Sequence, residues 1–272
     1  MTKLPRIVGL TLMSCLVASA ADPQASTADD ELAAGISARE KGDNEAALRH
    51  MKQAVTLGPQ MARTHFGLGV TADDLCFSTA GPRPSAPLCG LAILEYEKVL
   101  KLDSSHEQAS KNLAYMLYQF DQLDESESYY RKGLASHPDD PELLCAVASI
   151  DSQRIWRDVA AARAGLQPQE TSLIDSPSCR EVRNRNQARV EEGLALLARA
   201  VGIREKNLEL IGYLSTFYLA LAEVQCGNQK AHDGDVTEAR KWGRMLADAI
   251  AKQPHDVFRK CPAPPPPPPP AQ

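Results

Sequence analysis

Spacing recurs in this chain before any motif does. Tyr96-Glu97-Lys98 and Tyr130-Arg131-Lys132 stand 34 residues apart, as do Leu100 and Leu134, Leu113-Ala114 and Val147-Ala148, and Gly35 and Gly69. A period of that length is one pair of helices joined by a turn. Such a unit cannot bury its own apolar face, so at least three must stack. Residues 107–140 give the cleanest unit, with two helical patterns flanking Asp121-Gln122-Leu123-Asp124 and Pro138 closing it. Three longer steps keep to the rule with an excess. Ala47 to Ala92 is 45 residues, Tyr130 to Leu197 is 67, and Leu197 to Gly243 is 46. Each excess falls between the first and second helix of a unit, so the extra chain is expected on the turn edge of the stack. An aromatic content of 5% suits such an Ala- and Leu-rich helical protein better than a β-sandwich.

Within the period, residue size alternates by position. The first unit, 28–61, carries Gly35, Ala47, Met51, Ala54 and Pro59, and the second, 62–106, carries Leu68-Gly69, Ala92, Tyr96 and Val99. The third, 107–140, has Leu113-Ala114, Ser126, Tyr130, Gly133 and Pro138. The fourth, 141–206, has Val147-Ala148, Gly193, Leu197 and Ala200, and the fifth, 207–254, has Leu214-Ser215, Ala239, Gly243 and Leu246. Small residues let paired helices approach, while Tyr130 and Leu197 fill the gap to the next pair. This pattern resembles the tetratricopeptide repeat family over roughly residues 28–254. The resemblance implies an all-α, right-handed α-solenoid of about five antiparallel helix pairs, with insertions at 76–89 and 154–184.

The cysteines fall on the turn edge. Cys76 ends the first helix of unit two and Cys89 opens its second, across a segment, Phe77 to Leu88, with Pro82, Pro84 and Pro87 that is not expected to be helical. Cys179 precedes the second helix of unit four and Cys226 ends the first helix of unit five. Two disulfides are therefore predicted, Cys76–Cys89 and Cys179–Cys226. Cys145 is expected as a free small core residue and Cys261 in the tail.

The termini read differently. Lys3 and Arg6 precede the apolar run Ile7–Val17, and Ala18-Ser19-Ala20 precedes Ala21. That is the pattern of an export signal over residues 1–20, too short for the roughly 20 apolar residues of a membrane span, with a linker at 21–27. Leu12-Met13-Ser14-Cys15 offers an alternative, lipidation at Cys15. Cleavage after Ala20 takes the net charge from −5 to −7, because Lys3 and Arg6 leave with it. That balance disfavours binding to nucleic acid. The segment 255–272 holds Pro264 to Pro270 unbroken, a polyproline II rod of roughly 20 Å.

No catalytic motif is found: no G-x-S-x-G, H-E-x-x-H, P-loop or G-x-G-x-x-G. Phe66-Gly67-Leu68-Gly69 reads as close helix packing. His232-Asp233-Gly234-Asp235 reads as a helix start with Asp235 as N-cap and Glu238 three residues on. Arg180, Arg183, Arg185 and Arg189 read as a self-paired surface with Glu181, Glu191 and Glu192. No cofactor and no metal ligand set is indicated.

The resemblance also implies where a partner would sit. In the family, the second, fifth, ninth, twelfth and thirteenth residues of each first helix face the concave groove. These are Asp29, Leu32, Ile36, Arg39 and Glu40, then Arg63, Phe66, Val70, Asp73 and Asp74. They continue as Gln108, Lys111, Tyr115, Tyr118 and Gln119, then Glu142, Cys145, Ser149, Ser152 and Gln153. Arg63, Phe66, Val70, Asp73, Lys111, Tyr115, Tyr118, Gln119, Ser149 and Ser152 are the expected partner-binding residues, with the two tyrosines as anchors. Tyr115 stands where the family's carboxylate clamp needs Asn, so binding of chaperone tails is not implied. The sequence reads as an exported, non-catalytic scaffold for a protein or peptide, periplasmic or secreted, with an outer-membrane lipoprotein adaptor as the alternative.

Overall fold

The computed structural model describes residues 23–78, 84–166, 173–203 and 208–252. The leader read at 1–20, Cys15, Cys261 and the Pro-rich segment 255–272 lie outside them. Ten α-helices and one 3₁₀ turn make up the described residues, with no strand among them. They form five successive pairs. The pairs are α1 (Pro23–Glu40) with α2 (Asn44–Leu57), α3 (Ala62–Ser78) with α4 (Ala86–Leu102), and α5 (Glu107–Gln119) with α6 (Leu123–Ser136). α7 (Pro141–Ala164) with α8 (Ser178–Ile203) and α9 (Leu208–Glu223) with α10 (Gln229–Lys252) complete the stack. Each second helix packs on the first helix of the next pair, and α1 lies on α3 as α7 lies on α9.

Local chemistry sets the helix starts. Asp43 Oδ1 accepts from Ala46 N at 3.0 Å to cap α2, and Asp140 Oδ1 accepts from Glu142 N at 2.8 Å to cap α7, with Pro141 in the first turn. The turns inside units one, three and five each hold one left-handed residue: Gly42 at φ 75°, Asp121 at φ 64° and Gly227 at φ 68°. Only glycine adopts that region freely, and aspartate is among the few others that tolerate it.

Apolar faces then interlock between pairs. Tyr96, Tyr130, Leu197, Tyr213 and Phe217 are buried between successive helices. Gly193 of α8 meets the ring of Phe217 so closely that a methyl placed there would stand inside van der Waals contact with it. Phe217 is fully buried and has nowhere to turn. Gly193→Ala should therefore destabilise the fold by about 2 kcal/mol despite alanine's better helix propensity. Gly234→Ala, within α10 and with nothing within 4 Å of the added methyl, should stabilise it by up to about 1 kcal/mol. Urea unfolding of the two variants reads the opposite signs.

The extra chain behaves differently from a set of loops. α7 runs on to Ala164 and α8 begins at Ser178, so much of 154–184 lengthens two helices, with the 3₁₀ turn Leu173–Asp175 between them. In unit two α3 extends through Ser78 and α4 starts at Ala86, so both ends of the segment Phe77–Leu88 are helical. Pro87 is accommodated because the first helical turn needs no N–H from it. α1 begins at Pro23, inside the expected linker. α10 starts at Gln229 with Asn228 Oδ1 accepting from Ala231 N at 3.1 Å, which places Asp235 within the helix and corrects its reading as a cap.

Disulfides join Cys76 to Cys89, with Cα atoms 4.9 Å apart, and Cys179 to Cys226, at 5.6 Å. Cys145 is buried in the core of units four and five as expected, but it is disulfide-bonded and not free. Its partner is not among the described residues.

Candidate partner-binding groove

The first helices carry the groove positions, and their side chains divide it into an open part and a filled part. Units one and two are open and laced by charge. Asp29 accepts from Arg63 Nε at 2.6 Å and Nη2 at 2.9 Å, joining the same position of successive repeats. That fork holds the Asp29 carboxyl below its usual range. Arg39 and Asp74 pair more loosely at 3.7 Å, and Asp74 stays 60% exposed. Ile36 is exposed between them along α1.

Deeper in unit two, Phe66 packs toward Tyr96 and His106, with ring centroids 6.1 and 4.6 Å away, and Val70 joins the same core. Asn112 Nδ2 donates to the Tyr96 hydroxyl at 3.0 Å, and that hydroxyl donates to Asp73 Oδ2 at 3.1 Å. Burial pushes the Asp73 carboxyl up to about 6, against the pull of the Tyr96 hydrogen bond, with Asp74 adding to the rise. An acid that gains a proton near pH 6 thus sits in the floor of the groove.

Unit three carries the aromatic wall. Tyr115 is 36% exposed and meets Phe77 edge to face, with centroids 6.3 Å apart. Phe77, Phe120 and Gln119 are exposed as well. Lys111 is held between Asp140 at 2.5 Å and Glu107 at 2.9 Å, so its charge is already matched. Tyr118 is buried instead, and its hydroxyl is pushed up to about 12 chiefly by that burial. Ser149 is also buried and donates to Ala146 O at 2.7 Å, while Ser152 is buried one turn on. Tyr118, Ser149 and Ser152 are not surface residues, which corrects their place in the expected binding set.

Phe77 and Phe120 are the residues the positional reading missed. They fall just beyond the last groove position of their helices. The continuation of α3 to Ser78 brings Phe77 against Tyr115. The basic cluster of α8 is self-paired: Arg185 donates to Glu181 at 2.7 Å and to Asp158 at 3.3 Å. A surface cleft of about 460 Å³ lined by Glu97, Lys101, Ser110, Tyr129 and Lys132 lies on α4, α5 and α6. Among the described residues no helix is long and apolar enough to cross a membrane.

This geometry defines a helical-repeat solenoid. The tetratricopeptide repeat model matches residues 32–75 and 89–141, so this part of the chain is similar to that family. The chain's fold is similar to MamA of Desulfovibrio magneticus, at 14% identity and a TM-score of 0.55 over 86% of this chain and 99% of that one. It is also similar to YrrB, described as a TPR protein with an unusual peptide-binding site, at 13% identity and a TM-score of 0.53 over 86% and 100%. A search of curated proteins gave no match.

Proposed function

We propose that the protein is an exported, non-catalytic scaffold that holds an extended segment of a partner protein in the open groove of units one to three. The observation that carries this reading is the exposed edge-to-face pair Phe77–Tyr115, which joins the first helices of units two and three. Rigid aromatic side chains gain contact area at low entropic cost, and they dominate recognition energetics when a partner covers them. Exposed Asp74 and Glu40 along the same channel favour a partner segment with an apolar stretch and cationic flanks. A fold neighbour described as having a peptide-binding site supports the same class of partner. Lys111 is no free cation for a partner carboxylate, which argues further against the clamp variety of the fold.

A photo-crosslinker at Gln119 in intact cells tests this, with the adducts identified by mass. Phe77→Ala with Tyr115→Ala should cut the partner yield at least tenfold while leaving the helical melt in place, since neither ring belongs to the buried core. An unchanged set of adducts overturns the reading. The apolar run before Cys15 favours a second version, in which the same scaffold is anchored to the outer membrane by a lipid on that residue. Intact mass decides between them: a soluble chain starting at Ala21 supports the periplasmic or secreted form, and an acylated Cys15 in the membrane fraction supports the adaptor.

A further inference from the structure

The second helix of each unit packs on the first helix of the next, so the junction α2–α3–α4 recurs as α4–α5–α6 and as α6–α7–α8. The repeat spacing puts equivalent positions at each junction. Ser104 stands where the flanking junctions have Pro59 and Pro138, and Ser110 where they have His65 and Leu144. Tyr129 likewise answers to Glu95 and Leu196, and Lys132 to Lys98 and Arg199.

Two of the three junctions are filled by their own side chains. In the first, buried His65 stands with Nδ1 2.5 Å from Glu95 Oε2 and Nε2 3.0 Å from the Pro59 carbonyl. Lys98 donates to the other oxygen of Glu95 at 2.8 Å. In the last, Leu144 is buried in a core that Leu134 and Leu196 join, and Arg199 Nε donates to Asp139 at 2.8 Å. The middle junction has serine in place of both the imidazole and the proline, and there a cleft of about 460 Å³ opens along α4, α5 and α6. Tyr129 occupies the position from which Glu95 serves Lys98. Among the described residues, neither Lys132 nor Lys101, which lines the same cleft, makes an ion pair.

We propose that this cleft binds a small organic acid with one carboxylate and a flat apolar body. The carboxylate takes the part that Glu95 and Asp139 play at the other two junctions, and pairs with Lys132 and Lys101. The body lies against Leu100 and the Tyr129 ring, in the space that the small side chain of Ser110 leaves and that His65 or Leu144 fills elsewhere. Glu97, also in the lining, accepts from an N–H or O–H of the ligand and repels a second acid group, which restricts the ligand to a monoacid. The volume falls within the roughly 300–1,000 Å³ of small-molecule sites, and the lining shares no residue with the groove.

The test is a titration of the full chain with benzoate and with imidazole-4-acetate, followed by ligand-observed NMR. Benzamide serves as the uncharged control and inorganic phosphate as the anion without a body. Both acids should bind saturably at millimolar concentrations, and the two controls roughly tenfold more weakly or worse. Lys101→Ala with Lys132→Ala removes two exposed side chains, so it should leave the melt in place and weaken both acids roughly tenfold or more. Ser110→His with Tyr129→Glu rebuilds the plug of the first junction and should abolish binding. The groove variant Phe77→Ala with Tyr115→Ala should bind both acids as the wild type does, and a loss there would place the acid in the groove and overturn the proposal. It is equally overturned if neither acid saturates, if benzamide or phosphate binds as tightly, or if the lysine variant binds like the wild type.

Discussion

Asp151→Asn should stabilise the solenoid by on the order of 4 kcal/mol at pH 8 and by almost nothing at pH 4. Asp151 sits in the middle of α7, 2% exposed, with Oδ2 making no hydrogen bond. Burial, then the charges of Glu192 and Glu127, push its carboxyl up to about 7, and Arg131 and Arg154 oppose them only in part. Both arginines are already engaged: Arg131 donates to Glu127 and Glu192, and Arg154 to Glu127 and Asp124. In the unfolded chain the same carboxyl titrates near 3.9. Below pH 4 the proton is bound in both states and the group has no effect on stability. Between about pH 4 and 7 only the folded state keeps it, so unfolding releases a proton and stability falls as pH rises. Above about pH 7 the folded state holds a buried charge and the loss is complete. Asn keeps the shape without the charge. Urea unfolding at pH 4, 6 and 8 should show the variant's advantage growing across that window and then levelling off. An advantage of equal size at all three values would show that packing, not ionisation, is what changed.

The stack itself was legible because one period fixes several things at once. Once Tyr96 and Tyr130 are equivalent, the helix pairing, the buried face and the number of units follow from the same count. The period counts register, however, and register cannot tell a loop from a pair of longer helices. That is why 154–184 reads as an insertion while α7 and α8 in fact extend into it. The cysteine pairs on the turn edge could be read because helix ends place them. Cys145 is disulfide-bonded although its place within a helix gave no sign of it.

The groove was legible only in part, for a related reason. A position such as Tyr118 or Ser149 faces the inner side of the stack in any repeat of this kind. Whether that side is open depends on what the neighbouring first helices present. Here Tyr118, Ser149 and Tyr213, on three successive first helices, are all buried. Tyr115 is spared because Phe77 touches it only at an edge. The polar chain Asn112–Tyr96–Asp73 joins α5, α4 and α3, so no spacing within a single helix announces it.

Removing the Cys179–Cys226 bond, by Cys179→Ser with Cys226→Ser, should cost about 4 kcal/mol and lower the melting temperature by about 10 °C. The bond closes a separation of 47 residues, and in the chain-entropy model that much tethering of the unfolded state is worth more than the 13-residue separation closed by Cys76–Cys89, at about 3 kcal/mol. The folded state loses little by the exchange, because other contacts already hold the two ends together. Gly227 N donates to Ile174 O at 2.9 Å, tying the turn after α9 to the 3₁₀ turn that precedes Cys179. The effect should therefore appear as a lower urea midpoint with little change in the helical spectrum at 25 °C. Dithiothreitol should reproduce it in the wild type and have no further effect at this site in the double variant. Several kcal/mol is a large share of the stability of any domain, so a chain that needs these bonds is poorly suited to a reducing compartment. If reduction leaves the wild-type midpoint where it was, the bonds contribute nothing, and the strongest physical support for an exported protein goes with them.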